Sequence, residues 1–573
     1  MRNAQEWILR RRVPTGLIRE CATNGLNPVL AKVLCARGMD TPAKMQAFLA
    51  GEDHDLGDPL DMADMRPAIE RIRRGILSHE TITVYGDFDV DGVTSTALLV
   101  SLLRGLGGNA RPYIPDRFDE GYGLNVDALD TIRAEGVTLC IAVDCGVRSN
   151  HEVAHAQARG LDMIIVDHHS VPSELPAAVA VIDPKRRDSA YAFAELAGVG
   201  VTYQLGRALC DAMGDTDAGR RMIRQVDDYL DLVALGTVAD IVPLESENRT
   251  LARWGLNRLR SSPRPGLLAL MEQARVQPAT VGSIDVAFRL APRLNAAGRL
   301  EHARISYELL MAEDLGEARG LAETLGHTNN ERQALLEEQV AAAMAGLSQE
   351  PLGPLLIVDG PDYHEGIVGL IASRLREAYY RPTLVLRADA VTARGSARSV
   401  DGFHITEALD SCSDLLMRYG GHAQAAGFTL ASDRLPEFRQ RLLDYAEEHL
   451  DQNALTPRLL VDAIVPLGVL TPDVVSALGT MEPFGRGNPE PLLSSLGAQI
   501  RSINTVGVDG KHLRLLVRQA NASLPCIAFR QGALSEQFRP GDRIDLVYRP
   551  SMNHWQGRST LQLVVEAIRP ARD

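Results

Sequence analysis

Four short apolar runs in the middle of this chain each stop at a carboxylate or histidine. They are Thr81–Tyr85 ahead of Gly86-Asp87, Thr138–Val143 ahead of Asp144, Met163–Val166 ahead of Asp167-His168-His169, and Ala178–Ile182 ahead of Asp183. A fifth run, Ala110–Ile114, lies between the first two. Runs of this length, rich in β-branched residues and bounded by breakers, read as buried strands. Helical patterns separate most of them, and strand–helix alternation predicts a parallel, doubly wound sheet. Parallel strands deliver their carboxyl ends to one edge, where open α/β sheets bind ligands. The acids and histidines are therefore expected to meet.

The first of these strand ends is the richest. TITVYGDFDVDGVTSTALL carries Asp87, Asp89 and Asp91 at alternate positions, then a glycine and an apolar helix. In extended backbone residues i and i+2 point the same way, so Asp87 and Asp89 converge. Three adjacent acids repel one another unless a cation neutralises them. The plainer alternative is a solvated acidic turn in which Asp91 caps the helix. Asp240, in the apolar frame ALGTVADIVPL, is a fourth candidate, although a lone Asp in such a frame is ordinarily a cap or a buried hydrogen-bond acceptor. Four carboxylates and an imidazole without cysteine suit Mg²⁺ or Mn²⁺; the histidine tilts the choice to Mn²⁺, and zinc suits the set less well. Two such ions roughly 3.5–4 Å apart would clamp an in-line displacement at phosphorus.

The remaining composition narrows the setting. A chain of 573 residues calls for about three or four domains. No apolar run reaches the 18 or so residues of a membrane span, and the N-terminus lacks a secretory plan. Seven scattered cysteines with no C-x-x-C pair argue against a disulfide framework or a thiolate zinc site. A cytoplasmic protein is expected, without a membrane partner. Net charge is −14, yet from Leu455 onward 13 Lys+Arg face 10 Asp+Glu, a balance of +3, which permits a nucleic-acid partner for the last fifth.

Organisation follows from the patterns. Residues 1–60 hold Arg10-Arg11-Arg12 and short helical patterns without recognisable chemistry. Residues 61–310 form the α/β domain with its helical continuation, and 311–350 a long connecting helix. Residues 351–452 form a second, smaller α/β unit with a helix near His404–Met417, and 455–573 a small β-barrel or sandwich.

GDFDVDG, VDCG, VDHH, GTVAD and GGHAQAAGF, in that order and spacing, resemble the DHH phosphoesterase superfamily. Length and tail make the chain similar to its single-strand-specific 5′→3′ DNA exonuclease branch. The resemblance implies a DHH domain, a DHHA1 domain and a C-terminal OB-fold. It implies that Asp87, Asp89, Asp144, His168 and Asp240 ligate two Mn²⁺ or Mg²⁺ ions, with Asp144 as the bridge. His169 would touch the scissile phosphate and, with Asp144 and Asp167, make up the catalytic set. Asp91 has no ligand role in the pattern and belongs to the turn. Some relatives carry a metal-binding histidine four residues before the first Asp; Thr83 stands there instead, as in the exonuclease branch. Substrate contacts fall to Arg117, Arg293, Asn295, Arg299, Ser396, Arg398 and His422. In the tail, Arg501, Lys511, Arg514, Arg518, Phe529, Arg530, Arg549 and Trp555 mix basic and aromatic groups suited to single strands.

The implied function is hydrolysis of single-stranded DNA from its 5′ end to nucleotide 5′-monophosphates in recombinational and mismatch repair. Single-strand-binding protein and a RecQ-type helicase are the implied partners. An oligonucleotide or 3′-phosphoadenosine phosphatase is the nearest alternative, but such enzymes are shorter and lack the tail. A catalytically dead DNA-binding scaffold is the other, against which every ligand position is filled.

Overall fold

The computed structural model describes residues 5–51, 56–121, 123–262, 264–348, 352–451, 455–555 and 558–571. The side chains of 554–555 lie outside that description, and with them the expected tail aromatic Trp555. Two compact units result: Leu56–Pro457, and Gln5–Asp55 together with Arg458–Asp573.

After strand β1 (Glu6–Leu9) and helices α1 (Thr15–Thr23), α2 (Pro28–Ala36) and α3 (Pro42–Ala50), the amphipathic α4 (Met65–Leu77) leads into the parallel sheet. Its elements are β2 (Thr81–Tyr85), α5 (Val90–Gly105), β3 (Asn109–Tyr113), α6 (Val126–Ala134), β4 (Leu139–Val143), α7 (Asn150–Ala158), β5 (Asp162–Val166) and β6 (Ala180–Ile182). The order is β3-β2-β4-β5-β6, all pairs parallel. Numbered from its own first strand this is the 2-1-3-4-5 order of doubly wound folds, whose ligand crevice opens between strands 1 and 3. Here those are β2 and β4, the strands that run into Asp87 and Asp144. Nearly every residue of β2, β4, β5 and β6 is buried, as a sheet covered on both faces requires.

The helices that follow are α8 (Gly198–Ala212), α9 (Asp217–Ile223), α10 (Leu230–Ala239), α11 (Ser246–Arg260), α12 (Pro265–Gln273), the one-turn α13 (Ser283–Asp285), α14 (Ala291–Leu300) and α15 (Arg304–Met311). Helix α10, apolar except for Asp231 and Thr237, is buried and packed against α5, α8 and α11. The 33-residue α16 (Leu315–Leu347), capped by Asp314, is the expected connecting helix. It carries no charge-only face: Ala318, Ala322 and Leu325 pack into the core of the first domain, and Leu336 and Ala343 into that of the second.

The second α/β domain contains β7 (Leu356–Gly360), α17 (Val368–Tyr379), β8 (Thr383–Ala388), β9 (Thr392–Arg398), α18 (Ile405–Asp410), β10 (Leu416–His422), β11 (Ala425–Ala431) and α19 (Leu435–His449). Sheet order is β10-β11-β9-β8-β7, mostly antiparallel. The helix expected near His404–Met417 is shorter than the pattern suggested. It ends at Asp410, and Leu416 already begins β10, because Leu415 and Leu416 face the sheet core and Gly420-Gly421 extend the strand.

The second compact unit is a closed barrel. After β12 (Arg458–Val461), β13 (Ala463–Ile464) and α20 (Pro472–Gly479), strands β14 (Leu493–Val506), β15 (His512–Gln519), β16 (Ala522–Ala528), β17 (Arg543–Trp555) and β18 (Arg558–Pro570) run β14-β15-β16-β18-β17 and close through β17–β14. Alternation on β15 sends Leu513, Leu515 and Val517 inward and Arg514, Leu516 and Arg518 outward. The tail arginines divide accordingly. Arg549 is held by Glu566 (2.7 Å) and Glu490 (3.6 Å), whereas Arg501, Arg514, Arg518 and Arg530 are exposed.

Residues 5–51 do not stand alone. β1 pairs in parallel with β12, and Val29, Leu30, Val33, Leu34 and Met45 enter the barrel core. Buried Asp462 receives both Arg10 (3.0 Å) and Arg37 (2.9 Å), so Arg10 of the basic triplet is a structural cation.

Candidate metal and substrate site

Strand ends that carry chemical residues contribute to one pocket above β2, β4 and β5. Asp89 has extended backbone and caps α5, its Oδ1 accepting N–H from Asp91 (2.9 Å) and Gly92 (3.2 Å). Gly92 is required there, since a Cβ would fall 2.6 Å from the Asp87 nitrogen. Asp144 leaves β4 in the left-handed region (φ 62°) with its N–H still on the Val166 carbonyl. A non-glycine residue held there stores roughly 1–3 kcal/mol of strain. The turn aims its carboxylate into the pocket. Gly198 makes room for it, because a Cβ there would lie 2.7 Å from Asp144 Oδ1.

His168 Nε2 lies 3.2 Å from Asp144 Oδ1, 3.6 Å from Asp240 Oδ2 and 3.9 Å from Asp91 Oδ2. Three sets have ligand atoms within 4.8 Å of one another: Asp87/Asp89/Asp144, Asp91/His168/Asp240 and Asp144/His168/His169. Asp87 Oδ1, Asp144 Oδ1 and both His168 ring nitrogens are buried without hydrogen-bond partners among the described residues. Buried polar atoms are normally satisfied, so these lone pairs fit divalent cations.

The electrostatics agree. Burial, then Asp89, pushes Asp87 up to about 8 and Asp91 up to about 7. Burial, then the Asp91 and Asp89 charges, raises Asp144 and Asp240 well above the usual carboxylate range. Burial, then charge on His169, pushes His168 down to about 3, the neutral form a ligand needs. Carboxylates this reluctant to ionise become comfortable only beside positive charge.

Asp167 sits beneath His169 instead of in the pocket. Its Oδ1 takes His169 Nδ1 (2.7 Å) and the N–H of His168, while Oδ2 takes the Val147 N–H. Burial opposes charge on His169, but the Asp167 hydrogen bond and charge override it and lift the imidazole to about 9. His169 is thereby fixed as an oriented cation at the rim.

Asp91 corrects the expectation of a mere turn residue. It lies in the first turn of α5, but its carboxylate is buried and accepts N–H from Gly198 (2.7 Å) and Val199 (2.9 Å), pinning the start of α8 under the pocket. Gly236 of α10 leaves space for it. The glycines of AGVGV and GTVAD carried this signal in the sequence. Lys185, also unanticipated, donates to the His168 carbonyl (2.5 Å).

Around the pocket lie cations with few counter-charges. Arg117 stacks on Phe88 at 4.7 Å and feels Asp87 and Asp89. Burial, then repulsion from Arg117, Arg332 and Arg398, pushes Arg299 down to about 9; Arg332, from the long helix, was not foreseen. Arg299 also donates to the Gly366 carbonyl (3.2 Å) of the second α/β domain. Ser396 and Arg398 both face Gly369 at the start of α17, where a Cβ would approach each of them. His422 comes within 3.2 Å of Ser170, next to His169. Asn295 spends its amide oxygen on the Val90 N–H (3.1 Å), and Arg293 donates to the Arg289 carbonyl while its buried Nε has no partner among the described residues.

Family models match the DHH family N-terminal domain over residues 81–237, the DHHA1 domain over 352–448 and the RecJ OB domain over 461–567. The single-stranded-DNA-specific exonuclease RecJ of Escherichia coli K12 is 34% identical over 562 residues, 95% of this chain and 96% of that protein. The chain belongs to the RecJ family. The RecJ of Bacillus subtilis 168 is 38% identical over 544 residues, 94% of this chain and 68% of that protein. The crystal structure of Thermus thermophilus RecJ with Mn²⁺ superposes with a TM-score of 0.84 at 30% identity, covering 99% of this chain and 80% of that one. The Mg²⁺ complex of the same protein gives 0.78 at 29% identity, covering 99% and 79%. Among the described residues no helix is long and apolar enough to cross a membrane.

Proposed function

We propose that this RecJ-family chain hydrolyses single-stranded DNA from the 5′ end, releasing nucleotide 5′-monophosphates. The carrying observation is the junction of an orphaned acid–histidine pocket with arginines that have few counter-charges, drawn from both α/β domains of one compact unit. Asp87, Asp89, Asp144, His168 and Asp240 hold two Mn²⁺ or Mg²⁺ ions, with Asp91 reinforcing the second set. When bound, such ions supply charge neutralisation at the scissile phosphate and activation of water for in-line attack. His169, held cationic by Asp167, donates to the same phosphate. Arg117, Arg293, Asn295 and Arg299 line the approach, and the exposed barrel cations Arg514 and Arg518 add single-strand affinity. The setting we infer is cytoplasmic recombinational and mismatch repair, fed by a RecQ-type helicase beside single-strand-binding protein.

Polarity rests on end recognition. A terminal phosphate carries more charge than a diester, and Ser396, Arg398, His422 and the start of α17 supply a hydroxyl, a guanidinium, an imidazole and backbone amides. Arg398→Ala is expected to lose about 1.5–3 kcal/mol of transition-state binding, roughly ten- to a hundredfold in kcat/KM, on 5′-phosphorylated strands, and little on 5′-hydroxyl strands. Rates on 5′- and 3′-labelled oligonucleotides of both kinds check this. Equal losses on both ends would remove Arg398 from end recognition, and mononucleotide release from the 3′ end would reverse the polarity.

A further inference from the structure

The helix that carries Arg293, Asn295 and Arg299 is interrupted just before it starts. A regular helix would continue α13 smoothly into α14, but Val286–Leu290 forms a π turn, closed by Ala291 N–H on the Val286 carbonyl. Pro292 supplies the reason. It has no N–H for the Phe288 carbonyl four residues back, and its ring crowds that carbonyl, so the helix widens. Arg289 pins the turn from below through Asp285 (2.9 Å) and the Ala274 and Arg275 carbonyls (2.7 and 2.6 Å). Val286 and Leu290 are buried. Phe288, between them, is 73% exposed.

The widened turn thus holds an aromatic ring out of the core, free to meet an occupant. Three observations say which. Along the helix axis Phe288 precedes Asn295 by seven residues, about 10 Å, and Asn295 holds the Val90 N–H beside Asp89. The π turn packs on α10, whose end brings Asp240 and then Ile241, itself 67% exposed with a left-handed backbone (φ 61°) rare for a β-branched residue. Arg293, in the next turn, keeps a buried Nε without a partner among the described residues. An exposed ring one turn ahead of a guanidinium whose Nε has no partner among the described residues corresponds to the two halves of a nucleotide in a single strand, base and phosphate.

We propose that Phe288 is a stacking platform for one unpaired base of the substrate strand close to the metal pocket, with Arg293 on the adjoining phosphate. This rests on the single-strand exonuclease reading and adds a base-contact site to it. A paired base has its faces occupied by its neighbours in the duplex, so such a platform also favours single strands.

The test uses the full-length protein with Mn²⁺ and oligonucleotides carrying one abasic nucleotide stepped inward from the 5′ end. With the wild-type protein, kcat/KM should fall about 5- to 100-fold when the abasic nucleotide occupies one particular position, the range expected for one base–aromatic stack. Phe288→Ala should show a similar loss on the intact strand and no further loss at that position, while Phe288→Trp should restore both rate and position dependence. Losses from Phe288→Ala and the abasic nucleotide that multiply at every position would overturn the proposal. So would an unchanged rate for Phe288→Ala, the outcome expected if the ring docks another protein. If Phe288→Ala does not fold, Phe288→Leu replaces it, and retention of full position dependence by that variant overturns the platform. Absence of wild-type cleavage on any single strand would instead defeat the underlying exonuclease reading.

Discussion

Asp144→Asn is expected to lower single-strand hydrolysis by about a hundredfold or more, since altering even an outer-shell partner of a metal ligand costs roughly 10–100-fold. Asp144 is itself common to two of the three candidate ligand sets. Initial rates with Mn²⁺ and with Mg²⁺ check it, and near-wild-type turnover would refute the assignment. The same substitution carries an opposite signature in stability. With no metal added, Asp144 is one of several buried acids whose charges repel, so the asparagine should raise the melting temperature at pH 8. Added Mn²⁺ should then stabilise the wild-type protein more than the variant.

The pH dependence of the metal-free protein follows with its sign. Asp87 and Asp91 titrate at about 8 and about 7 in the fold, against 3.8 unfolded. Between about pH 4 and 8 the native state binds more protons than the unfolded chain, so stability falls as pH rises through that window. His169, raised from 6.5 to about 9, works in the same direction, its contribution being full below 6.5 and lost through 9. Melting curves at pH 5.5 and 8.5 with chelator should show the higher transition at the lower pH, and Mn²⁺ should shrink the difference. A metal-free protein more stable at pH 8.5 would contradict the crowded-acid picture.

Deleting residues 1–51 is expected to unfold the C-terminal barrel. Val29, Leu30, Val33 and Leu34 all enter its core, and at about 1.5–3 kcal/mol per buried side chain they contribute on the order of the 5–15 kcal/mol that holds a whole domain together. Removing β1 also uncovers the β12 edge and leaves buried Asp462 without Arg10 and Arg37. The deletion should abolish the barrel's cooperative transition in calorimetry while the transition of the 56–457 unit persists. A barrel that melts unchanged would show the N-terminal helices to be ornamental. For the same reason, cutting the chain after Leu455 is no clean probe of the tail, because it strands the apolar face of α2.

Much of the catalytic half was legible because its signals are local. Strand ends placed Asp87, Asp89, Asp144 and His168 at a common edge, and the sheet order brings them there, while Asp240 reaches His168 from the end of helix α10. The long connecting helix expected over 311–350 forms as α16, three or four residues shorter at each end. The short helix α18 was overestimated, since a run such as Ser413–Met417 suits helix and strand equally until the neighbouring strand is known.

Local pattern was enough to specify the residue types at the strand ends, the alternation that makes the sheet parallel, and the acid–histidine chemistry that suits divalent ions. Those depend on neighbours in the chain and on periodicity. Three-dimensional packing was needed to show that Asp91 pins α8 rather than ending its work in a turn, and that Asp167 serves His169. Packing also joined residues 5–51 to a barrel that begins only at Arg458, neutralised Arg549 while leaving Arg514 outward, and exposed Phe288 on a π turn. Each of these rests on a partner distant in sequence, and no local pattern records which distant backbone N–H or apolar face a side chain will meet.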